Sequence, residues 1–255
     1  MKTYKVKIQF DGHEYLGWQI QKESRPTVQG QFNQALELIF KQPIKSVASG
    51  RTDTGVHALE HHVVFTAPFE IPHPSLVKAL NSNLPASIRC YDCVEVEKSF
   101  RPTNDALQRE YHYFFSNEKV ASPFTRHYMT NIKHDLKVDA MQKACKLFEG
   151  THDFNRFHCV GSDPSTTVRT IFKCELTLEA PCLGGIVPKH FVLKVSGTGF
   201  LKQMVRLIIG AIWKVGDGTM KLTEVEQALI NPVGKHIAAV APPNGLFKFS
   251  VQYPD

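Results

Sequence analysis

SGRTDTGVHA, from Ser49 to Ala58, is a polar stretch between two segments of strand-like sequence. An extended segment, Ile44–Ala48, precedes it, and a β-rich run, His62–Thr66, follows it. Its two glycines, Gly50 and Gly55, allow sharp turns and the close approach of another part of the backbone. The stretch therefore predicts a turn at the centre of the first half of the chain.

The elements around this turn indicate a β-α-β-β-α-β series. A strand, Tyr4–Phe10, opens the series, and a short helix, Pro74–Asn81, and a strand, Ile88–Val96, close it. Between the opening strand and the turn we expect an amphipathic helix, because five apolar residues recur at the spacing of one helical face. These residues are Val28, Phe32, Ala35, Leu36 and Ile39.

The second half has the same order of elements without repeating the residues of the first. Its predicted strands are Arg109–Ser116, Val168–Leu178, His190–Ser196 and Gly245–Tyr253. One predicted helix carries Val138, Met141, Cys145 and Phe148 on one face, and an apolar helix runs from Phe200 to about Val215. A last helix begins at Thr223, where Thr223 and Glu226 form a capping-box pattern, and stops before Asn231-Pro232.

The shared order predicts an α+β protein made of two split-βαβ (ferredoxin-like) halves around a largely antiparallel sheet. We place the boundary near Thr103–Gln108, which gives domains 1–105 and 106–255. The formal net charge of +6 is +2 in residues 1–104 and +4 in the remainder, so neither half is a dedicated basic tail. We expect a central cleft where the halves meet, and the spread of positive charge over both halves makes it basic. This charge permits a nucleic-acid partner but does not require one.

The composition, 42% hydrophobic and 21% charged residues, is that of an ordinary globular protein. The most apolar run, Leu207–Trp213, is far shorter than the roughly 20 residues that span a membrane. The first seven residues, Met1–Lys7, lack the apolar core of a signal peptide. Six cysteines without a secretion signal indicate reduced thiols. We therefore expect a cytoplasmic protein that does not contact a membrane.

Two groups of residues resemble metal-ligand patterns. Cys90 and Cys93 form a Cys-x-x-Cys, but their segment is strand-like, and residues three apart on a regular strand point to opposite faces. His57 and His61 have the His-x-x-x-His spacing that chelates a metal on a helix, with His62 beside them, yet this segment also becomes strand-like. We predict local structural roles for these residues and no metal site.

Arg51 and Asp53 are the residues of the polar stretch best suited to chemistry. If the backbone is extended there, the two side chains project to the same side. A neighbouring guanidinium favours the ionised carboxylate, which is the form that acts as a nucleophile. The alternative is a polar turn in which Asp53 caps a backbone N–H and Arg51 makes a surface ion pair, and the spacing alone leaves both interpretations open.

Gly50–Ala58 resembles the signature of the tRNA pseudouridine synthase A family, with Thr54 where that family commonly has Ala. Further blocks are similar to motifs of the same family, in the same order along the chain. They are Arg109–Tyr113, Gly150–Phe154, Val168–Ile171, Gly199–Arg206 with Gly210 and Val215–Gly218, and Ala241–Leu246. Blocks in this order over nearly the whole chain are far more specific than any one of them.

The resemblance implies an enzyme that converts uridine to pseudouridine in the anticodon stem-loop of tRNA without a cofactor. The N1–C1′ glycosidic bond breaks, the base turns, and it is rejoined through C5, with Asp53 starting the reaction. A stacked base cannot be handled in this way, so the nucleotide must flip into a pocket, at a cost of a few kcal/mol. The resemblance also implies a homodimer in which tRNA touches both subunits.

The same resemblance gives roles to four more residues. Tyr111 matches a substrate-contacting tyrosine, Arg206 an ion-pair partner of the catalytic aspartate, and Leu246 an apolar residue of the uracil pocket. Arg51 is expected to contact RNA or assist base flipping. Without the resemblance, Tyr111 is an ordinary half-buried sheet aromatic, Arg206 a snorkelling surface residue and Leu246 a core leucine.

One position departs from the family. Thr103 stands where the family often has an arginine, so the RNA contact of that arginine is not expected in this chain.

Two other functions compete with the synthase: a non-catalytic tRNA-binding protein or RNA chaperone, and a nucleoside or glycoside hydrolase that uses Asp53. The hydrolase needs a second carboxylate to protonate the leaving group, and none stands out near the motif.

Overall fold

A computed structural model gives the structure of residues 1–22, 25–159 and 164–254. The chain divides into two units: unit 1 comprises Met1–Leu107 and Phe247–Asp255, and unit 2 comprises Gln108–Leu246. The sequence-based domain 106–255 included the last strand, whereas the structure groups that strand with unit 1. The reason is pairing, because Phe247 and Lys248 lie opposite His57 and Ala58 of a unit 1 strand.

Unit 1 is a mostly antiparallel sheet with two helices. Its elements are β1 (Lys2–Phe10), α1 (Val28–Phe40), β2 (Val47–Ala48), β3 (His57–Ala67), α2 (His73–Asn83), β4 (Ile88–Val96) and, from the end of the chain, β10 (Leu246–Gln252). Hydrogen-bonded neighbours run β4-β1-β3-β10, and the short β2 also pairs with β3. All pairs are antiparallel except β3 with β10, which are parallel.

Unit 2 also combines a mostly antiparallel sheet with helices. Its elements are β5 (Gln108–Ser116), β6 (Thr130–Asn131), α3 (Val138–Leu147), β7 (Gly150–Asp153), β8 (Val168–Glu179), β9 (His190–Gly197), α4 (Met204–Gly216) and α5 (Leu222–Ile230). The strand order is β5-β9-β8-β7, and β6 pairs with β5 in parallel. The predicted α+β class with a largely antiparallel sheet is confirmed.

The core of unit 1 follows from two periodicities. Alternate residues of β1 are buried, from Tyr4 through Val6 and Ile8 to Phe10. Four of the five residues of the predicted apolar face of α1 are buried and the fifth, Ile39, is partly buried. Thr27 caps the helix by accepting the Gly30 N–H at 3.1 Å. The first half of the chain therefore folds as its apolar pattern predicts.

Two helix starts in unit 2 differ from the prediction. α4 begins at Met204 rather than Phe200, because Gln203 has a left-handed backbone (φ 62°) that interrupts the helix. The N-cap of α5 is Lys221, two residues before the predicted cap Thr223, and the helix begins at Leu222. The Glu224 carboxylate accepts the backbone N–H of Lys221 at 2.8 Å, so Thr223 and Glu226 are not the capping pair. The predicted end of α5 before Asn231-Pro232 is confirmed.

The prediction that Cys90 and Cys93 point to opposite faces is wrong. In the pairing of β4 with β1, Cys93 lies opposite Val6 and Cys90 opposite Ile8, which leaves Tyr91 as an extra, bulged residue. Both thiols therefore reach the buried core. Burial raises the pKa of each to about 12, so they are unreactive, apolar side chains.

Among the helices formed by the described residues, none is both long and apolar enough to cross a bilayer. All six cysteines are free thiols.

The packing of α1 gives a matched pair of substitutions. Leu36 is fully buried and Leu38, on the same helix, is 49% exposed. We expect Leu36→Ala to lower the free energy of unfolding by about 2–5 kcal/mol, because it removes core contacts and leaves a cavity. Leu38→Ala should cost about 0.5 kcal/mol or less. Urea denaturation measures both, and equal losses would contradict this assignment of the buried face.

Candidate active site

The loop Ser49–Val56, called the Asp53 loop below, joins the antiparallel strands β2 and β3. Its first residue continues the pairing, since Ser49 N donates to His62 O at 2.9 Å and His62 N donates to Ser49 Oγ at 3.3 Å. At the other end, Val56 N donates to Asp53 O at 3.2 Å and closes a turn. The backbone of Asp53 is therefore fixed by the strands on either side.

A second segment, Gly12–Trp18 after β1, packs against this loop. Trp18 N donates to Thr52 O, and Gly55 N donates to Tyr15 O, both at 3.2 Å. At Gly17 (φ 86°) a Cβ would overlap Thr52 O and lie 2.9 Å from the carbonyl carbon of Asp53. Only glycine allows this approach of two backbones. We did not predict this role from the sequence, although two glycines and a tryptophan just after a strand were a signal for it.

The exposure of the loop residues alternates. Arg51 is exposed, Thr52 is buried and Asp53 is half-buried. This alternation agrees with the extended backbone expected around Asp53. A carboxylate that is reachable from solvent, on a backbone held by neighbouring elements, is what a nucleophile needs.

The three histidines after the loop lie on β3 and are buried. His57 Nδ1 accepts the Gly12 N–H at 3.0 Å, and its ring stacks on Phe247 with centroids 4.6 Å apart. His62 Nε2 lies 2.8 Å from Glu60 Oε1. In the described part of the chain, no group of three or more His, Cys, Asp or Glu side chains is arranged to hold a metal ion.

Thr103, at the position of the family arginine, has a structural contact next to the loop. Its Oγ1 donates to Ala48 O at 2.9 Å, one residue before Ser49.

Within unit 2, Tyr111 and Tyr113 differ although they share a strand. Tyr111 is half-buried, and its ring meets Phe200 edge-on at 5.2 Å. Tyr113 is fully buried, and its hydroxyl lies 2.8 Å from both Thr130 Oγ1 and Pro242 O. Burial raises the pKa of the Tyr113 hydroxyl. Part of Tyr111 is therefore exposed, whereas Tyr113 supports the structure.

Arg206, on α4, holds the turn Ala241–Leu246. Its Nε donates to Ala241 O at 2.6 Å, and Ala241 N donates to Arg206 O at 3.1 Å. At Gly245, a Cβ would lie 2.5 Å from Phe114 O, so the turn also packs directly on β5. Leu246, at the end of the turn, is buried. The structure thus brings Arg206 and β5 together at this turn.

Two arginines that sequence reasoning did not single out converge beside Gly199. A Cβ on Gly199 would lie 3.9 Å from Arg109 Nη1 and 4.0 Å from Arg169 Nε. Burial, and then the charge of Arg109, lower the pKa of Arg169. Arg109 Nη1 donates to Thr198 O at 2.5 Å and Arg169 Nη1 to Val168 O at 2.6 Å, which fixes both guanidinium groups. Two fixed cations this close together favour an anion such as a phosphate.

Residues 7–101 and 144–254 match the family model described as tRNA pseudouridine synthase. The chain belongs to the tRNA pseudouridine synthase family. Relatives named tRNA pseudouridine synthase A include those of Pseudothermotoga lettingae and Thermosipho africanus, each 39% identical over 99% of this chain and 100% of their own. The relative from Syntrophomonas wolfei is 34% identical over 100% of this chain and 99% of its own.

A structure titled "Crystal Structure of a Cbf5-Nop10-Gar1 Complex" is also similar, at 10% identity and a TM-score of 0.35, over 96% of this chain and 58% of that one. The family prediction made from the motif blocks is confirmed by the family model and the relatives. The chain is accordingly a tRNA pseudouridine synthase enzyme, which isomerises uridine in tRNA.

The close approach at Gly17 can be tested against Gly184, which also has a left-handed backbone (φ 64°) but nothing within 4 Å of an added Cβ. We expect Gly184→Ala to cost only the strain of the backbone, about 1–3 kcal/mol, and to leave the rate of pseudouridine formation unchanged. Gly17→Ala must also displace Thr52 and Asp53, so the rate should fall about 10- to 100-fold. Equal rates for the two folded variants would rule out this role of Gly17.

Proposed function

We propose that this enzyme isomerises uridines of the anticodon stem-loop of tRNA and that Asp53 starts the reaction. The observation that carries the proposal is the placement of Asp53: a half-buried carboxylate at a turn whose backbone is fixed by β2, β3 and the segment Gly12–Trp18. The signature around Asp53 matches the family to which the chain belongs.

The chemistry is an internal transfer. The N1–C1′ bond of the flipped uridine breaks, the base turns, and a C5–C1′ bond forms. The proton on C5 is lost to solvent and N1 gains one, so the product is an isomer of the substrate. Asp53 can begin cleavage by attacking the base, by attacking C1′ or by removing a ribose proton, and each route needs an ionised, accessible carboxylate.

The other residues bind the substrate. Tyr111 offers the flipped uracil an aromatic face, a contact typically worth about 1–3 kcal/mol. Leu246 supplies an apolar wall for the base, and Arg206 fixes the turn that carries Leu246 and, by resemblance to the family, pairs with the catalytic aspartate. The exposed Arg51 contacts the RNA or assists flipping.

The RNA is held chiefly through its phosphates. The net charge of +6 and the converging pair Arg109 and Arg169 support this. By resemblance to the family, we also propose a homodimer in which tRNA touches both subunits. The six free cysteines support a reducing compartment, so we place the enzyme in the cytoplasm.

Asp53→Asn tests the catalytic role directly. We expect this variant to fold and to bind tRNA as the parent does, because the amide has the size of the carboxylic acid. It should release no tritium from tRNA labelled at C5 of uridine, since the amide can neither attack nor accept a proton. Tritium release and filter binding measure the two properties.

Asp92→Asn is the matched control, because it makes the same change to a carboxylate outside the Asp53 loop. Asp92 lies on β4 and pairs with Lys7, with their charged atoms 3.6 Å apart. This control should keep the full rate. If Asp53→Asn formed pseudouridine at a rate close to that of the parent, Asp53 would not be the residue that starts the reaction. A parent that binds tRNA without forming pseudouridine would favour the non-catalytic binding protein, and free uracil among the products would favour a hydrolase.

Tyr111 gives a graded prediction. Tyr111→Phe keeps the ring and should retain most of the rate if stacking is its main contribution. Tyr111→Ala removes the ring, and the loss of about 1–3 kcal/mol of stacking corresponds to a 5- to 150-fold fall in kcat/KM. Steady-state kinetics with a tRNA substrate measures both variants. An equally large loss in Tyr111→Phe would assign the role to the hydroxyl instead.

A further inference from the structure

Lys248 is a fully buried lysine beneath the start of the Asp53 loop. It lies on β10 opposite Ala58, and its Nζ donates a hydrogen bond to Ser49 Oγ and lies 3.2 Å from His61 Nδ1. A Cβ on Gly50 would lie 3.8 Å from the same Nζ. Burying an ammonium group costs free energy unless hydrogen bonds compensate, so these contacts are strongly favoured.

His61 acts as a neutral acceptor for this ammonium. Burial, and then the charge of Lys248, lower the pKa of His61 well below its usual range, so the ring is neutral. Because an ammonium group can only donate, the Nδ1 that faces it carries the lone pair. The His61 ring packs against Trp18, with centroids 4.5 Å apart, and edge-on against Phe10 at 5.5 Å. Its Nε2 has no hydrogen-bond partner among the described residues, so Lys248 makes the polar contact that orients the ring.

Two contacts of Lys248 reach both ends of the segment that precedes Asp53. One leads directly to Ser49, whose backbone pairs with His62 at the start of the loop. The other leads through the His61 ring to the Trp18 ring that packs against it, and the backbone N–H of Trp18 donates to Thr52 O at 3.2 Å. The buried ammonium therefore supports the backbone at Ser49 directly and the backbone at Thr52 through His61 and Trp18.

We propose that Lys248 is a positioning residue for Asp53: its ammonium fixes the Asp53 loop through Ser49 and His61. The proposal rests on the catalytic role proposed for Asp53. In this role Lys248 contributes to the reaction by fixing the Asp53 loop through neighbouring side chains, and not by touching the substrate.

The test is a double-mutant cycle with Lys248→Met and Ser49→Ala. Lys248→Met should lower kcat for pseudouridine formation about 10- to 100-fold, because small displacements of a reacting group have effects of that size. The KM for tRNA should change by no more than about twofold, since the RNA-binding residues are untouched. Ser49→Ala removes one of the two contacts and should cost less. The double variant should be no slower than Lys248→Met, because both changes break the same connection.

Hydrogen exchange separates positioning from general destabilisation. In Lys248→Met and Ser49→Ala, the amides of residues 49–57 should exchange faster than in the parent. Leu76→Ala, at a fully buried position of α2, is the control for a weakened unit 1 core. This variant should be less stable than the parent. At temperatures below its unfolding transition, it should keep the parent kcat and the parent exchange rates in residues 49–57.

Three results would overturn the proposal: a kcat of Lys248→Met within twofold of the parent, losses that multiply in the double variant, or an equal fall in kcat for Leu76→Ala. If the parent forms no pseudouridine, the proposed function is wrong, and hydrogen exchange alone then tests whether Lys248 positions the Asp53 loop. Faster exchange confined to residues 49–57 in Lys248→Met then supports the positioning role, and unchanged exchange contradicts it.

Discussion

The contact between the backbone at Gly17 and the backbone of Thr52 and Asp53 is the constraint on which the proposed site depends. A side chain at Gly17 would overlap Thr52 O, so the two segments can approach only because this residue lacks one. The hydrogen bond from Trp18 N to Thr52 O then fixes their relative position. The backbone that carries Asp53, the proposed reacting residue, is thus held by main-chain contacts, while its side chain is only half-buried.

In both units, side chains that are buried or half-buried hold the backbone of a loop or turn that carries a candidate site residue. In unit 1, Lys248 and His61 support the loop that carries Asp53. In unit 2, Arg206 fixes the turn Ala241–Leu246 through a pair of hydrogen bonds with Ala241. A substrate that must be flipped out and rejoined at another atom needs groups that do not move, and rigid loops on strand and helix ends provide them.

The sequence predicted the α+β class, the apolar face of α1 and the strands of both units, because periodicity depends only on local pattern. It missed features that depend on tertiary contacts: the bulge at Tyr91, which turns Cys90 and Cys93 to the same side, and the left-handed Gln203, which delays α4. Family resemblance led to the predicted roles of Asp53 and Arg206. The buried Lys248 was missed because a lysine on a strand gives no sign that it is buried.

Mapping of pseudouridine in tRNA incubated with the purified protein measures directly where the enzyme acts. We expect new pseudouridines confined to the anticodon stem-loop and formed without added cofactor. Unmodified tRNA after incubation with a protein that binds it, or modification confined to another arm of the tRNA, would contradict the proposed function.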